Sequence, residues 1–295
     1  MIFSCGEALV DLVPEPVPGG GPMNVAIAAA RLGASSSFVG GVSTDDFGDR
    51  LWQHMLDNGV DLSLSRRFDA PTARAIVEHV PELRFRFEGD DTADTLLDHI
   101  ERSATNGPGN IVHGGTLGMF RGVAADAYAD LAAGHDGLVS LDPNIRPQII
   151  DDAAQWHSFH DRWLPHVGLY KGSDEDLSWI WPNQSPEDSA TRLLDHGVNA
   201  VIVTRGGDGL SILTSAGESF ATAPRVDVVD TVGAGDTIVG VVLTSIVEHF
   251  SGAAVELDDL VPGDWQRFAE RAVTAAAITC SRAGADVPYR HELDW

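Results

Sequence analysis

Short apolar runs alternate with stretches of helical periodicity along most of this chain, and that alternation restricts the fold more than any other feature. The runs are "IFSCGEALV" (2–10), "SFVGGV" (37–42), "NIVHGG" (110–115), "GLVSLDPN" (137–144), "VGLYKGS" (167–173) and "AVIVTRG" (200–206). Helix-like stretches lie near 22–33, 45–58, 121–134, 151–164 and 186–196. Several runs are apolar on both faces, as strands covered by helices on both sides are. The expectation is an α/β fold: a doubly wound, mainly parallel sheet flanked by helices. Ligands bind such sheets beyond the carboxyl ends of the strands.

Two segments break the alternation. "ARAIVEHVP" (73–81) and "RFRFEG" (84–89) read as an antiparallel hairpin with "PELR" near its turn. Arg84 and Arg86 alternate with Phe85 and Phe87, which gives one charged and one apolar face. The reading is a single domain over 1–295 with a small inserted β-sheet, formed by about 12–18 and 70–90, that serves as a lid. A short sheet with one apolar face also suits a homodimer contact. Two further helices are expected over about 234–250 and 264–282. In the second, Trp265, Phe268, Ala272, Ala276 and Thr279 form a core stripe, and Gly284 and Pro288 follow as stop signals.

The charge balance narrows the partners. The formal net charge is −25, with 19 basic against 44 acidic residues. Lys171 is the only lysine. Nucleic acid and anionic membranes, which need a basic surface, are therefore excluded as partners. An anionic ligand would have to be met by backbone amides, a few arginines or a bound cation. No apolar stretch reaches the roughly 20 residues of a membrane span. "MIFSCGEALVDLVP" carries no basic leader, so the expected location is the cytoplasm. Cys5 and Cys280 stand far apart in apolar segments and read as buried free thiols.

Four glycine- or proline-rich clusters follow strand-like runs. In "DTVGAGDT" (230–237), Gly233, Ala234 and Gly235 would let their amides approach a ligand closely. If a helix starts there, its unpaired N–H groups and dipole form an anion hole that needs no basic side chain. Asp236 would stand beside the anion, able to take a proton from an attacking alcohol. A glycine turn with an N-cap aspartate would explain the same residues without any function. In "PGGGPMNVAIAAARLG" (18–33), the Asn24 amide suits sugar hydroxyls or a local capping role. "SLDPNIRP" (140–147) would project Asp142, Asn144 and Arg146 from a strand end, or be a polar proline turn. "VTRGGDG" (203–209) would pass under a nucleotide or form a hairpin. "HSFH" (157–160), with Asp161, is a metal pair or, more economically, a solvated helix face. A P-loop, an opening GxGxxG, HExxH and GxSxG are all absent.

Taken in order, these clusters resemble the ribokinase-like (PfkB) carbohydrate kinase family, and within it the bacterial fructokinases. The matching stretches are "GEALVDL", "GGGPMNVAIAAARLG", "FVGGVSTDDFGDRL", "TADTLL", "LDPNIRP", "KGSDEDL", "VTRGGDG", "DTVGAGDT" and "AAAITCSRAGADVP". The resemblance implies transfer of the γ-phosphoryl group of ATP, with Mg²⁺, to a sugar hydroxyl, D-fructose giving fructose 6-phosphate. It implies Asp236 as general base and Gly233, Ala234 and Gly235 as the anion hole. Asp11, Gly20, Gly21, Asn24 and Arg146 would bind the sugar. Asn144, Thr204, Gly206 and Gly209 would bind the nucleotide. Asp174 or Glu175 could reach a metal through water, and K⁺ or another monovalent cation could sit near Asp230, Val232 and Gly284. Where the family brings a lid arginine to the sugar, this chain has Gly89 or a neighbouring acid, with Arg86 as the candidate substitute. Other acceptors (2-keto-3-deoxygluconate, ribose, a nucleoside) and a non-catalytic sugar-binding regulator stay open as alternatives.

Overall fold

The computed structural model describes residues 1–13, 15–79 and 83–295. The chain begins with β1 (Ile2–Cys5), β2 (Leu9–Val13), β3 (Glu15–Gly19), α1 (Gly21–Arg31), β4 (Ser36–Val39), β5 (Gly41–Ser43) and α2 (Asp46–Asp57). It continues with β6 (Arg66–Phe68), β7 (Arg74–His79), β8 (Leu83–Glu88), β9 (Ile111–Gly115), α3 (Gly122–Gly134), β10 (Leu138–Asp142) and α4 (Ala153–Trp163). Next come β11 (Leu169–Ser173), α5 (Asp174–Ile180), α6 (Pro186–Asp195), β12 (Ala200–Thr204), β13 (Leu210–Thr214) and β14 (Gly217–Ala221). Two long helices, α7 (Ala234–Phe250) and α8 (Pro262–Cys280), close the order.

Eight strands form the main sheet in the order β14-β13-β12-β11-β10-β9-β1-β4. From β4 to β12 every pairing is parallel, and only the β12–β13 and β13–β14 pairings at one edge are antiparallel. The expected doubly wound sheet is therefore present. The chain leaves β1 toward β4 on one side and later returns to β9 on the other, so the topological switch lies between β1 and β9. A crevice opens at the carboxyl ends of strands on such a switch. One face of the sheet is covered by α1, α7 and α8 through Val25, Ala29, Val242, Trp265, Phe268 and their neighbours. The other is covered by α3, α4, α5 and α6 through Tyr128, Trp156, Trp163, Leu177 and Leu193.

Two apolar runs each split into two strands. Residues 2–10 break after Cys5 at Gly6 (φ 149°), so β1 joins the main sheet while β2 joins a separate four-stranded sheet, β3-β2-β7-β8. Residues 37–42 likewise divide between β4 and β5, the latter paired with β6. The expected hairpin exists as β7 and β8, paired antiparallel from Arg74↔Glu88 to His79↔Leu83; its turn lies outside the described residues. The 203–209 loop is a tight antiparallel connection between β12 and β13. "HSFH" is neither a metal pair nor a solvated face: His160 is buried, stacked on Trp156 with centroids 5.1 Å apart, with Nε2 3.0 Å from the Tyr170 hydroxyl. Cys5 is buried as expected, whereas Cys280 is only half-buried.

Helix α7 is apolar around its whole circumference, and Asp236 through Ile246 are all buried. It packs closely on α1, because an added Cβ at Gly240 would lie 2.4 Å from the Ala28 Cβ. That contact sets the separation between the two helix N-termini. Gly240→Leu is expected to lower stability by roughly 1–3 kcal/mol through overpacking, read from the urea midpoint at unchanged m-value. An unshifted midpoint would show that α1 and α7 have room to move apart.

Candidate active site

Helix α7 begins at Gly233, whose φ of 79° is left-handed and suits glycine. An added side chain at Gly233 would also strike Ala285, with Cβ atoms 2.5 Å apart. Thr237 N–H donates to the Gly233 carbonyl and starts the helical ladder. The Gly235 and Asp236 amides before it have no intrahelical acceptor. They and the helix dipole leave positive charge at a half-exposed glycine turn. Gly233, Ala234 and Gly235, expected to form an anion hole, make up this turn, in which the Ala234 amide already donates to the Thr231 carbonyl at 3.3 Å.

Asp236 is not a local cap. Its side chain turns inward and is buried. Asn24, at the start of α1, donates from Nδ2 to Asp236 Oδ2 at 2.8 Å. The Asn24 side chain is likewise spent on this long-range bond and not on capping its own helix. Burial pushes the Asp236 carboxyl above the usual carboxylate range, opposed by the Asn24 hydrogen bond and the nearby Lys171 and Arg146 charges. A carboxylate so placed is a stronger proton acceptor than an exposed one.

The ends of β10 and β11 bring a buried ion pair to the same place. Lys171 Nζ lies 2.9 Å from Asp142 Oδ2, with side chains 6% and 4% exposed. Nζ also lies 3.1 Å from where a Gly235 Cβ would be, so the ammonium stands against the first turn of α7. Burial works against the charge, but Asp142, Asp176 and Asp236 outweigh it and hold Lys171 above the usual lysine range. Burial also raises Asp142 to about 6, against the pull of Lys171. The Asp176 carboxylate accepts from Ile145 N at 2.7 Å and from Ser173 N and Oγ at 2.9 and 2.7 Å. Asp174 is half-buried and Glu175 exposed on the same turn. Among these three acids, Asp176 is the one joined to the buried network.

Sequence reasoning passed over Lys171 and Asp176. One signal was available: the chain's single lysine sits in a strand with apolar neighbours on both sides, where an ammonium must be paired. For Asp176 the signal was the Ser173 N-cap three residues earlier, which forms a capping box with it.

The other expected residues lie on neighbouring strand ends and loops. Asp11 lies on β2, where burial raises it to about 6, tempered by Arg146 and reinforced by Asp236 and Asp230. Gly20 and Gly21 open α1, and Gly21 N donates to the buried Glu7 at 3.2 Å. Glu7 also accepts from Gly118 N at 2.9 Å, bridging the loops after β1 and β9 at the switch point. Asn144 has a left-handed backbone (φ 40°), and Arg146 donates to its Oδ1 at 2.8 Å. Thr204 closes β12, with Gly206 and Gly209 in the turn beyond it. Asp230 ties two loops together, accepting from Val232 N at 3.0 Å and from Gly284 N at 2.9 Å. Arg86 pairs with Glu88 at 2.7 Å on the exposed face of β8. At Gly89 it is Arg121 that closes in: it donates to the Gly89 carbonyl, pairs with Asp94 at 2.8 Å and lies over the Phe87 ring.

Among the described residues no group of three or more His, Cys, Asp or Glu could hold a metal ion. Asp142 and Asp176 are already committed to protein donors. These residues fit Mg²⁺ only where phosphate oxygens and water supply its inner ligands, an arrangement Mg²⁺ favours. No described helix is long and apolar enough to cross a membrane.

Comparison with known proteins gives a consistent picture. Residues 14–292 match the model of the pfkB family carbohydrate kinases. A fructokinase of Rhizobium leguminosarum is 31% identical over 83% of this chain and 79% of its own. The fructokinase of Xylella fastidiosa, solved with bound ATP, superposes with a TM-score of 0.87 at 27% identity, covering 96% of this chain and 93% of that one. Aminoimidazole riboside kinase from Salmonella enterica, solved with aminoimidazole riboside and an ATP analogue, gives 0.86 at 27% identity over 99% and 97% of the two chains.

The buried pair yields a stability test. Lys171→Met strands the Asp142 carboxylate and is expected to cost roughly 3–5 kcal/mol. Adding Asp142→Asn should recover most of that loss, because the carboxamide oxygen still accepts from the Asn144 amide. Urea unfolding of both variants decides it, and a double variant no more stable than Lys171→Met would remove the pair from this role.

Proposed function

The chain belongs to the pfkB family of carbohydrate kinases, and on that premise we propose that it phosphorylates a terminal hydroxyl of D-fructose, giving fructose 6-phosphate. It is an ATP-dependent sugar kinase; the sugar and the roles of individual residues are the proposal. One observation carries it: Asp236 is buried at the α7 N-terminus, with Oδ2 held by Asn24 and unpaired helix amides beside it.

Bound ATP supplies the phosphoryl group. Asp236 orients the attacking hydroxyl and takes its proton. The turn of Gly233, Ala234 and Gly235 receives the transferring group, with the Gly235 and Asp236 amides as its free donors, and Lys171 adds a fixed positive charge against the same turn. Fixed donors at the position where charge develops need no reorganisation during transfer. Asp11, Gly20, Gly21, Asn24 and Arg146 hold the sugar. Asn144, Thr204, Gly206 and Gly209 lie along the nucleotide. Asp142 and Asp176 would hold Mg²⁺ through water, in preference to Asp174 or Glu175. The loops that Asp230 ties together, with Val232 and Gly284, are the proposed seat of K⁺. The four-stranded sheet closes over the sugar as a lid and excludes water, and its outer face is the proposed homodimer contact. The cytoplasm is the proposed location.

Aminoimidazole riboside kinase superposes almost as well as fructokinase, so a riboside is the second reading for the acceptor. ADP release with ATP and Mg²⁺ across fructose, ribose, 2-keto-3-deoxygluconate, glucose, adenosine and aminoimidazole riboside separates them. Selective turnover of fructose is expected, and selective turnover of another acceptor would replace it.

Asp236→Asn should keep the fold and lower kcat by roughly 10²–10⁴-fold, the usual reach of general-base assistance. The base works only when ionised, and burial raises its pKa. The kcat of the native enzyme should therefore fall on acidification at a pH above the ordinary aspartate range. An Asp236→Asn variant with most of its kcat would overturn the assignment of the base.

A further inference from the structure

Above Gly21, three polar side-chain atoms converge on one point. A Cβ placed on Gly21 would lie 2.7 Å from Thr116 Oγ1, 3.4 Å from Asn144 Nδ2 and 3.4 Å from Asp236 Oδ1. These atoms come from the end of β9, the end of β10 and the first turn of α7. None of the three has a hydrogen-bond partner among the described residues; Asn24 takes the other Asp236 oxygen. Thr116 is buried and adjoins the switch point, two residues from the Gly118 amide that binds Glu7.

The Thr116 backbone is in the left-handed region, with φ 48°. A β-branched residue adopts that conformation only where its surroundings impose it, and such residues gather at functional sites. Here the constraint comes from Gly115, pressed so closely on β10 that a Cβ would overlap the Asp142 carbonyl, and from the buried Leu117 and Met119 that follow. Together they turn the Thr116 hydroxyl back over Gly21.

The donor and acceptor set suits one group. A carboxylate accepts, a carboxamide nitrogen donates, and a hydroxyl does either. A hydroxymethyl group can give its proton to Asp236 Oδ1 while its oxygen accepts from Thr116 and Asn144. An oxygen at that point would stand 2.7 Å from Thr116 Oγ1 and 3.4 Å from both Asn144 Nδ2 and Asp236 Oδ1, whereas a carbon there would crowd the threonine hydroxyl. We propose that Thr116 is a substrate-contacting residue, whose hydroxyl donates to the oxygen of the reacting primary alcohol and holds its proton toward Asp236. The inference rests on the kinase reading for the identity of the reacting group.

Thr116→Val keeps the shape and removes the hydroxyl; Thr116→Ser keeps the hydroxyl. Thr116→Gly removes it while relieving the backbone, which covers a Val variant that fails to fold. Kinetics on the acceptor panel and calorimetric sugar binding are measured for native protein and all three. The Val and Gly variants should lose about tenfold or more in kcat/KM for the sugar, the scale of one lost hydrogen bond to a reacting group. Their KM for ATP should stay within about twofold and the Ser variant within about threefold of native. ATP hydrolysed per sugar phosphorylated should rise for Val and Gly, which a purely structural role would not produce. A Val or Gly variant with native sugar kinetics, or a Ser variant as impaired as Val, overturns the proposal. If native protein binds a sugar without phosphorylating it, the kinase reading falls, and a binding loss confined to Val and Gly still upholds Thr116. If native protein binds no sugar, both fall.

Discussion

The hydrogen bond from Asn24 to Asp236 joins residues 212 positions apart and sets the geometry on which the site depends. It spans the N-terminal turns of two helices packed as closely as an Ala28–Gly240 contact allows. Neither partner serves its own helix. A buried carboxylate with one oxygen so held has its other oxygen aimed by the packing of α1 on α7 rather than by rotamer preference. The low-dielectric surroundings that raise its pKa also strengthen its pull on an approaching hydroxyl. With Asp236 as the proposed base, stability and reactivity draw on one contact.

A chain with 44 acidic and 19 basic residues faces a particular difficulty in holding a polyphosphate. Surface arginines would be offset by neighbouring carboxylates and screened by salt. The fold places its positive potential where neither applies. Helix amides at Gly235 and Asp236 carry no titratable charge, and the single lysine is buried against them. Asp142 keeps that lysine charged and in place, at the cost of a buried carboxylate raised to about 6. This positive potential belongs to the interior and stands apart from the acidic exterior.

Much of this was legible in the sequence, and the parts that were not share a cause. Strands β9, β10, β11 and β12 and seven of the helices follow from apolar periodicity, because each is a local pattern with one consistent period. The breaks after Cys5 and Val39 did not follow, since a run that is apolar throughout carries no mark of where it changes sheets. Edge strands β13 and β14 are short and partly polar, and α5 has seven residues, too few for a period to show. In the site, the glycine-flanked Asp236 announced itself, while Lys171, Asp176 and Thr116 matter through neighbours distant in the chain. His160 illustrates the converse: two histidines at helical spacing suggested water or metal, and the aromatic rings around the buried one are Trp156 on its own helix, Tyr170 on β11 and Trp181 just past α5.

The two strained residues above Gly21 follow from the sheet itself. β9 and β10 are in parallel register with Gly115 opposite Asp142, so both strands end at one level. A chain leaving a parallel strand ordinarily runs on past the edge, carrying its side chains away from the crevice. A left-handed residue reverses it. Thr116 and Asn144 both do this, and each is followed at once by a buried anchor, Leu117 and Ile145. Strain of this kind costs on the order of 1–3 kcal/mol per residue, and burying an aliphatic side chain returns a similar amount. The anchors thus hold the reversals at little net cost, and two hydrogen-bonding groups stand fixed over the strand ends before any ligand arrives. A flexible loop could bring the same groups to the same place, but it would lose conformational entropy each time it did so. Building the reversal into the register of the sheet moves that loss into folding.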